Sequence, residues 1–326
     1  MGMEIITLVV TLIILIGLLV SLVFIIRCMV QGKTCPSRCR IDDKTVLITG
    51  ADTSLGVDLV RDLCRRGARV IMAVTDTELG QDVAVEVRGE TNGEVMVEYC
   101  DMGSLKSVRD FTTKILEQES RIHVLINLSS VMWCPLERTP EGFEKHWGFN
   151  HLSNFVMTQL LMPLLHRGAP DARIITVSSA WYKRGTIHWE DPNFNTRKYN
   201  AIDAYSQSKL ANVLFTRELA RKLDGTGVNT YCVNPGMTQT GLGTHIVPGL
   251  GCFWLTAALF CWLPWLKTSK NANQSIIFCA TDPSVSEQSG FYYSECGVQL
   301  TNEAASKMDD AYRLWEMSER MAGLTS

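Results

Sequence analysis

The chain reads as an α/β protein: a single doubly wound parallel sheet domain preceded by an N-terminal transmembrane helix. Three observations predict this. Residues 5–26, IITLVVTLIILIGLLVSLVFII, form an uncharged apolar run. Beyond it, short runs rich in Val, Ile and Thr alternate with amphipathic stretches at strand–helix–strand intervals. The side chains that can do chemistry gather where those strands end, which is the ligand edge of such a sheet.

The apolar run is 22 residues long, enough to cross a hydrocarbon core of roughly 30 Å. A cleaved signal peptide is the competing reading, but no basic region precedes the run and it is long for a signal core. Glu4 is the one charged side chain ahead of it, whereas Arg27, Lys33, Arg38, Arg40 and Lys44 follow. That asymmetry predicts a cytosolic location for everything after the run. Cys28, at the membrane edge, is a candidate for acylation. The chain thus divides into an anchor (1–27), a linker (28–43) and one domain (44–326).

Within the domain, strands are expected at 44–49, 68–74, 94–100, 124–127, 172–178, 228–233 and 290–293. Helices are expected at 57–67, 77–87, 104–119, 142–165, 201–223 and 302–321, with a further polar helix before the last strand. KTVLIT at 44–49 has the unbroken apolar character of a strand buried on both faces. A glycine-bearing turn from Gly50 to Gly56 follows it and opens a helix, the setting in which backbone amides hold a pyrophosphate. Asp101, Asn127, Ser178, Ser179 and Asn234-Pro235-Gly236 all fall at strand ends. Residues 252–266, CFWLTAALFCWLPWL, break the rhythm. They are too short, and too interrupted by Pro264, for a comfortable span. They read either as a core helix or as part of an apolar substrate lid, 246–268, resting on the membrane interface.

Composition narrows the class. The net charge of -3 offers no basic excess for nucleic acid. Six His and eleven Cys never cluster at metal-ligand spacing, Cys35 and Cys39 coming nearest, so no metal site is expected. An odd cysteine count, with Cys64, Cys232 and Cys279 in apolar runs, points to reduced, buried thiols. Asn273-Gln274-Ser275 is a glycosylation sequon expected to be exposed, and its modification would reverse the cytosolic orientation.

Tyr205 and Lys209 lie four residues apart in a helix-forming run, so both present the same face to a reactant. A phenol titrates near pH 10, and a neighbouring cation is expected to lower that value. Such a pair can exchange a proton with an alcohol or carbonyl oxygen. A solvated helix face is the plain alternative, and the surroundings decide between them.

Those surroundings are TGADTSLG at 49–56, Asp101, Asn127, Asn150, SSA at 178–180, YSQSK at 205–209 and NPGMTQT at 234–240. In this order they resemble the short-chain dehydrogenases/reductases. NHLSNF, AYSQSKLANVLFTRELARKL and the anchored N-terminus look like the microsomal retinol dehydrogenase branch, over about residues 42–320. The resemblance implies a Rossmann sheet and a catalytic set of Asn150, Ser179, Tyr205 and Lys209. Tyr205 would be the acid/base and Lys209 its partner and a ribose ligand. Ser179 would bond the substrate oxygen, and Asn150 would hold a proton-relay water. The resemblance also assigns cofactor contacts to Gly50, Ser54, Leu55, Gly56, Thr75, Asp101, Asn127, Tyr205, Lys209, Pro235, Gly236, Thr238 and Thr240.

Three places depart from the family pattern. Ser54 stands where glycine is usual, Leu128-Ser129-Ser130 replaces the usual NAG, and Val74-Thr75 offers neither the acid that binds NAD nor the base that binds NADP. The branch implies NADP, with NAD not excluded. The expected function is a membrane-anchored oxidoreductase that interconverts alcohol and carbonyl groups of lipophilic, retinol/retinal-like substrates. Its catalytic domain would face the cytosol from the endoplasmic reticulum membrane, with a homo-oligomer left open. The alternative is a catalytically weak, dehydrogenase-like membrane protein acting as a binding or scaffold protein.

Overall fold

The computed structural model describes residues 2–238 and 266–324. Helix α1 (Gly2–Val30) is long and apolar enough to cross a membrane, with a mean hydropathy of 3.3 in its most apolar stretch and side chains exposed along its length. It runs three residues past the expected anchor boundary at 27.

The domain then alternates as expected: β1 (Thr45–Thr49), α2 (Ser54–Arg65), β2 (Arg69–Val74), α3 (Thr77–Thr91), β3 (Val95–Tyr99), α4 (Leu105–Gln118) and β4 (Val124–Asn127). Next come α5 (Ser153–Gly168), β5 (Ala172–Val177), α6 (Ala201–Lys222) and β6 (Val228–Val233). After residue 266 follow α7 (Ser269–Ala272), α8 (Gln274–Thr281), β7 (Tyr292–Ser294), β8 (Gly297–Val298), α9 (Glu303–Ser306) and α10 (Met308–Ala322). The sheet order is β3-β2-β1-β4-β5-β6-β7-β8, parallel through β7 and antiparallel only at β8.

The strands' twofold periodicity builds the two cores. Leu47, Ile71, Leu125 and Ile174 face one side and pack under α4, α5, α6 and α10. Their neighbours Val46, Ile48, Val70, Met72, Ile126 and Ile175 face the other, under α2, α3 and α8. Registers of Leu47 with Ile71 and Leu125 keep like faces aligned. Every residue of β1 is buried, which accounts for its unbroken apolar run.

Four expectations change. The helix expected from 142 begins as a wide π-helical turn, Trp147–Leu152, that runs into α5. The last helix is split into α9 and α10, and the two-residue β8 is too short to leave a sequence signal. The segment expected to be a polar helix is α8, whose residues are all buried. Asn273 is likewise buried, and its Nδ2 donates to the Leu55 carbonyl oxygen at 2.8 Å, so the sequon is not exposed. Its polar side chain supports a neighbouring helix start from within the fold. Residues 239–265, hence Thr240 and nearly all of the expected lid, lie outside the described residues.

Candidate active site

The turn between β1 and α2 is closed by its own side chains. Thr53 caps α2, its Oγ1 accepting from Gly56 N at 3.1 Å and donating to Gly50 O at 2.8 Å. Gly50 has φ +66°, and a Cβ there would lie 2.7 Å from Ser129 Oγ. At Gly56 a Cβ would lie 2.5 Å from Gly50 O and 2.6 Å from Ala51 Cα, both backbone atoms. Side-chain bulk is therefore intolerable at Gly50 and Gly56. Ser54, in contrast, is exposed on the first turn of α2, where its hydroxyl adds a donor without entering the packed turn, while Leu55 beside it is buried. A dinucleotide's pyrophosphate fits such a turn: free amides, a helix N-terminus and backbone with no Cβ in the way.

The second departure is absorbed as well. Leu128 packs into the core, and the Leu128 and Ser129 amides both donate to Thr49 Oγ1, at 3.0 and 3.1 Å. The end of β4 is thereby fastened to the end of β1. Asn127 is buried, its Nδ2 donating to Thr158 Oγ1 at 3.1 Å while its Oδ1 has no partner among the described residues. A buried, unpartnered carbonyl beside the turn is a feature a bound ligand would satisfy.

Tyr205 and Lys209 are both on α6 and buried. The Lys209 Nζ lies 5.6 Å from the Tyr205 ring centroid and makes one hydrogen bond among the described residues, to Val177 O at 3.2 Å. Two of its three donors remain for a ligand. Ser179, two residues past β5, lies near enough to the Tyr205 phenol to lower its pKa. The adjacent Ser178 Oγ donates to Lys209 O at 2.8 Å, tying β5 to α6. The sequence and the structure differ over the phenol. Burial pushes Tyr205 up to about 12, only partly offset by Ser179, and pushes Lys209 down to about 8. In the free protein desolvation therefore decides the direction, and Tyr205 keeps its proton at neutral pH.

This arrangement opposes folding. Between pH 8 and 10.5 the unfolded state holds the Lys209 proton and the folded state does not, so stability rises with pH there and the penalty is full below pH 8. At pH 7 that penalty is roughly 3 kcal/mol. Lys209→Met is expected to raise the thermal midpoint of the free protein by several degrees while removing activity, as differential scanning fluorimetry and turnover would read together.

Asn150 lies in the π-helical turn and does not contact Lys209 directly. Its Oδ1 accepts from Val131 N at 2.8 Å and from Ser130 Oγ at 3.3 Å. Its Nδ2 donates to Val131 O and Ser208 Oγ, both at 3.0 Å. Its amide clamps the chain after β4 to α6, one residue before the lysine. π-helical turns recur where a fold must aim a side chain out of register.

The remaining expected residues sit along the same edge. Asp101, two residues past β3, uses Oδ1 to accept from Gly103 N at 2.7 Å. Thr75 is exposed at the end of β2, and next to it the Asp76 amide lies 3.5 Å from Asp52 Oδ2. After β6, Gly236 adopts φ +89°, Gly236 N donates to Asn234 Oδ1 at 3.0 Å and Pro235 is buried. Thr238 bridges to Lys267, which pairs with Glu295.

Two features escaped the sequence reading. Trp133 and Trp181 meet edge to face, 5.3 Å apart, just past Ser130 and Ser179. Both are half-buried, and together they form an aromatic pair in the segments that follow β4 and β5. Each follows a strand-end motif by a few residues, which was the available signal. The other is Gln31, immediately after α1. Its Nε2 donates to Leu266 O at 3.2 Å, and its Oε1 accepts from Thr268 N at 3.0 Å and Asn271 Nδ2 at 2.8 Å. The end of the apolar helix is thus clasped to the chain as it returns from residues 239–265.

Comparison with known proteins agrees with this geometry. The profile described as short chain dehydrogenase matches residues 44–250. Human "Retinol dehydrogenase 13" is 41% identical over 90% of this chain and 89% of its own length. An uncharacterised Mycobacterium paratuberculosis protein of known structure superposes with a TM-score of 0.70, at 31% identity over 90% of this chain and 98% of that one. The Pseudomonas aeruginosa RhlG/NADP active-site complex does so at 0.53, with 27% identity over 64% of this chain and 77% of that one. This chain belongs to the short-chain dehydrogenase/reductase family of oxidoreductases, on the branch that resembles the retinol dehydrogenases.

Proposed function

We propose that the protein interconverts alcohol and carbonyl groups on a lipophilic, retinol/retinal-like substrate drawn from the membrane. The observation that carries this reading is the Gln31 clasp. It joins the apolar helix to the chain beside Thr238 and Gly236, past the end of β6, the strand paired with β5, whose own end leads to Ser179. A molecule leaving a bilayer at the end of α1 meets that edge first. The Trp133–Trp181 pair suits a long, flat, apolar chain.

A nicotinamide dinucleotide, when bound, supplies the hydride chemistry. Gly50, Gly56 and the α2 N-terminus would hold its pyrophosphate, and Lys209 its ribose. Tyr205 gives its proton to a carbonyl oxygen in reduction and takes one from an alcohol in oxidation. Ser179 bonds that same oxygen and orients it. Asn150 keeps the β4 and α6 ends in register, a positioning role. The domain faces the cytosol from the endoplasmic reticulum membrane on this reading, supported by the cations that follow α1.

All-trans-retinal reduction by full-length protein in lipid nanodiscs tests the substrate class. Trp181→Ala is expected to raise KM for retinal roughly tenfold with little change in kcat, as the loss of one aromatic contact predicts. A short aldehyde turned over as efficiently as retinal, with no effect of the substitution, overturns it.

NADP is the cofactor the branch implies, yet Thr75 is neutral and Asp52 and Asp76 place two carboxylates around it. A 2′-phosphate there meets no cation from these residues, which favours weak discrimination between NADP and NAD. Thr75→Arg is expected to tighten NADPH about tenfold and leave NADH nearly unchanged in a nicotinamide fluorescence titration.

A further inference from the structure

The segment that leaves α1 is bound to the domain by alternate residues. Lys33 N donates to Glu295 Oε2 at 2.8 Å and Cys35 N to Gln274 Oε1 at 2.9 Å. Cys296 N donates to Ser275 Oγ at 3.0 Å, and its Sγ lies 4.0 Å from Lys33 O. Gln274 and Ser275 are consecutive, so one turn of α8 holds the backbones of both cysteines. The two cysteines are thereby brought side by side, Cys296 Sγ against the backbone two residues before Cys35, and both side chains sit at the rim of the same core. Cys35, whose spacing from Cys39 came nearest to that of a metal-ligand pair, lies beside Cys296 in the fold.

The turn that carries Cys296 is unusual. Glu295 and Cys296 join β7 to β8 in a two-residue hairpin turn with φ of +55° and +53°. Such turns normally take Asn-Gly or Gly-Gly, because an L side chain is disfavoured in left-handed backbone. Two side chains are nevertheless kept here. Glu295 is used by Lys267 and Lys33, and Cys296 by Cys35.

We propose that Cys35 and Cys296 form a modification site, a dithiol that hydrogen peroxide oxidises to a disulfide. The Cys35 thiolate attacks the peroxide oxygen, the O–O bond breaks, and one oxygen leaves as water while Cys35 becomes a sulfenic acid. The Cys296 thiol then attacks the Cys35 sulfur, a second water leaves, and the S–S bond forms. Two thiols are oxidised and one peroxide is reduced to two waters. Selectivity follows from surroundings: the Cys296 side chain holds the Cys35 thiol below its usual range, whereas burial pushes Cys64, Cys100 and Cys232 up to about 12. The product staples the segment after α1 to the turn whose Glu295 pairs with Lys267, against Gly236. Dithiols reverse it, as is usual for redox-sensing pairs in reducing compartments.

Full-length protein in nanodiscs, treated with hydrogen peroxide, alkylated and mapped without reductant, tests this directly. A linked Cys35–Cys296 peptide that disappears with dithiothreitol is expected. In Cys296→Ser, dimedone is expected to label Cys35, whereas in Cys35→Ser it is expected to leave Cys296 unlabelled. Both thiols recovered free, or either linked to a different cysteine, overturns the proposal. The mapping is independent of turnover, so failure of the oxidoreductase reading would not disturb it.

Discussion

Tyr205→Phe is expected to lower kcat for carbonyl reduction by roughly 100- to 10,000-fold, the usual worth of a positioned proton donor. The phenol is buried on α6 and pushed up to about 12 by that burial, so it carries its proton throughout the neutral range. A donor must be protonated when the carbonyl arrives, and this one is. Removing the hydroxyl leaves the ring to fill the same space, so the cofactor titration and thermal midpoint should stay near those of the parent. Single-turnover reduction in nanodiscs measures the loss. Undiminished turnover in Tyr205→Phe would remove the assigned role.

Gly56→Ala should abolish useful cofactor affinity. The added methyl meets Gly50 O at 2.5 Å and Ala51 Cα at 2.6 Å, neither of which can rotate away. Forced overpacking of this kind costs about 1–3 kcal/mol, and relief requires moving the turn whose amides would face a bound pyrophosphate. A fall of several degrees in thermal midpoint and at least a roughly tenfold loss of NADH and NADPH affinity are expected. Gly89 supplies the control. It lies in α3 with nothing within 4 Å of its Cβ position, so Gly89→Ala should stabilise by about 0.5–1 kcal/mol. The same chemical change then has opposite signs at two helical glycines.

The sheet was legible in the sequence because its strands are buried on both faces and therefore read as unbroken apolar runs, as in Thr45–Thr49. The edge where chemistry gathers was legible for a related reason: polar residues that end an apolar strand stand out, as at Asn127, Ser178 and Asn234. Side-chain use was harder to read. Asn273 reads as a surface sequon, but its amide is consumed by the Leu55 carbonyl, a contact between segments far apart in the chain. The same distance hid the Trp133–Trp181 and Cys35–Cys296 pairs. The expected lowering of the Tyr205 phenol failed on a quantity that sequence does not carry, the depth of burial. At Ser54, the sequence reads the substitution as bulk in a crowded turn, and the structure shifts that sensitivity to Gly50 and Gly56.

The Gln31 clasp changes what substrate concentration means for this enzyme. On the proposed reading, with the end of α1 fastened beside Thr238 and Gly236, the enzyme and an apolar reactant would share a two-dimensional phase. Encounter is then governed by the mole fraction of reactant among the lipids and by lateral diffusion. Adding lipid at constant total reactant would then dilute the reactant within the membrane and slow catalysis.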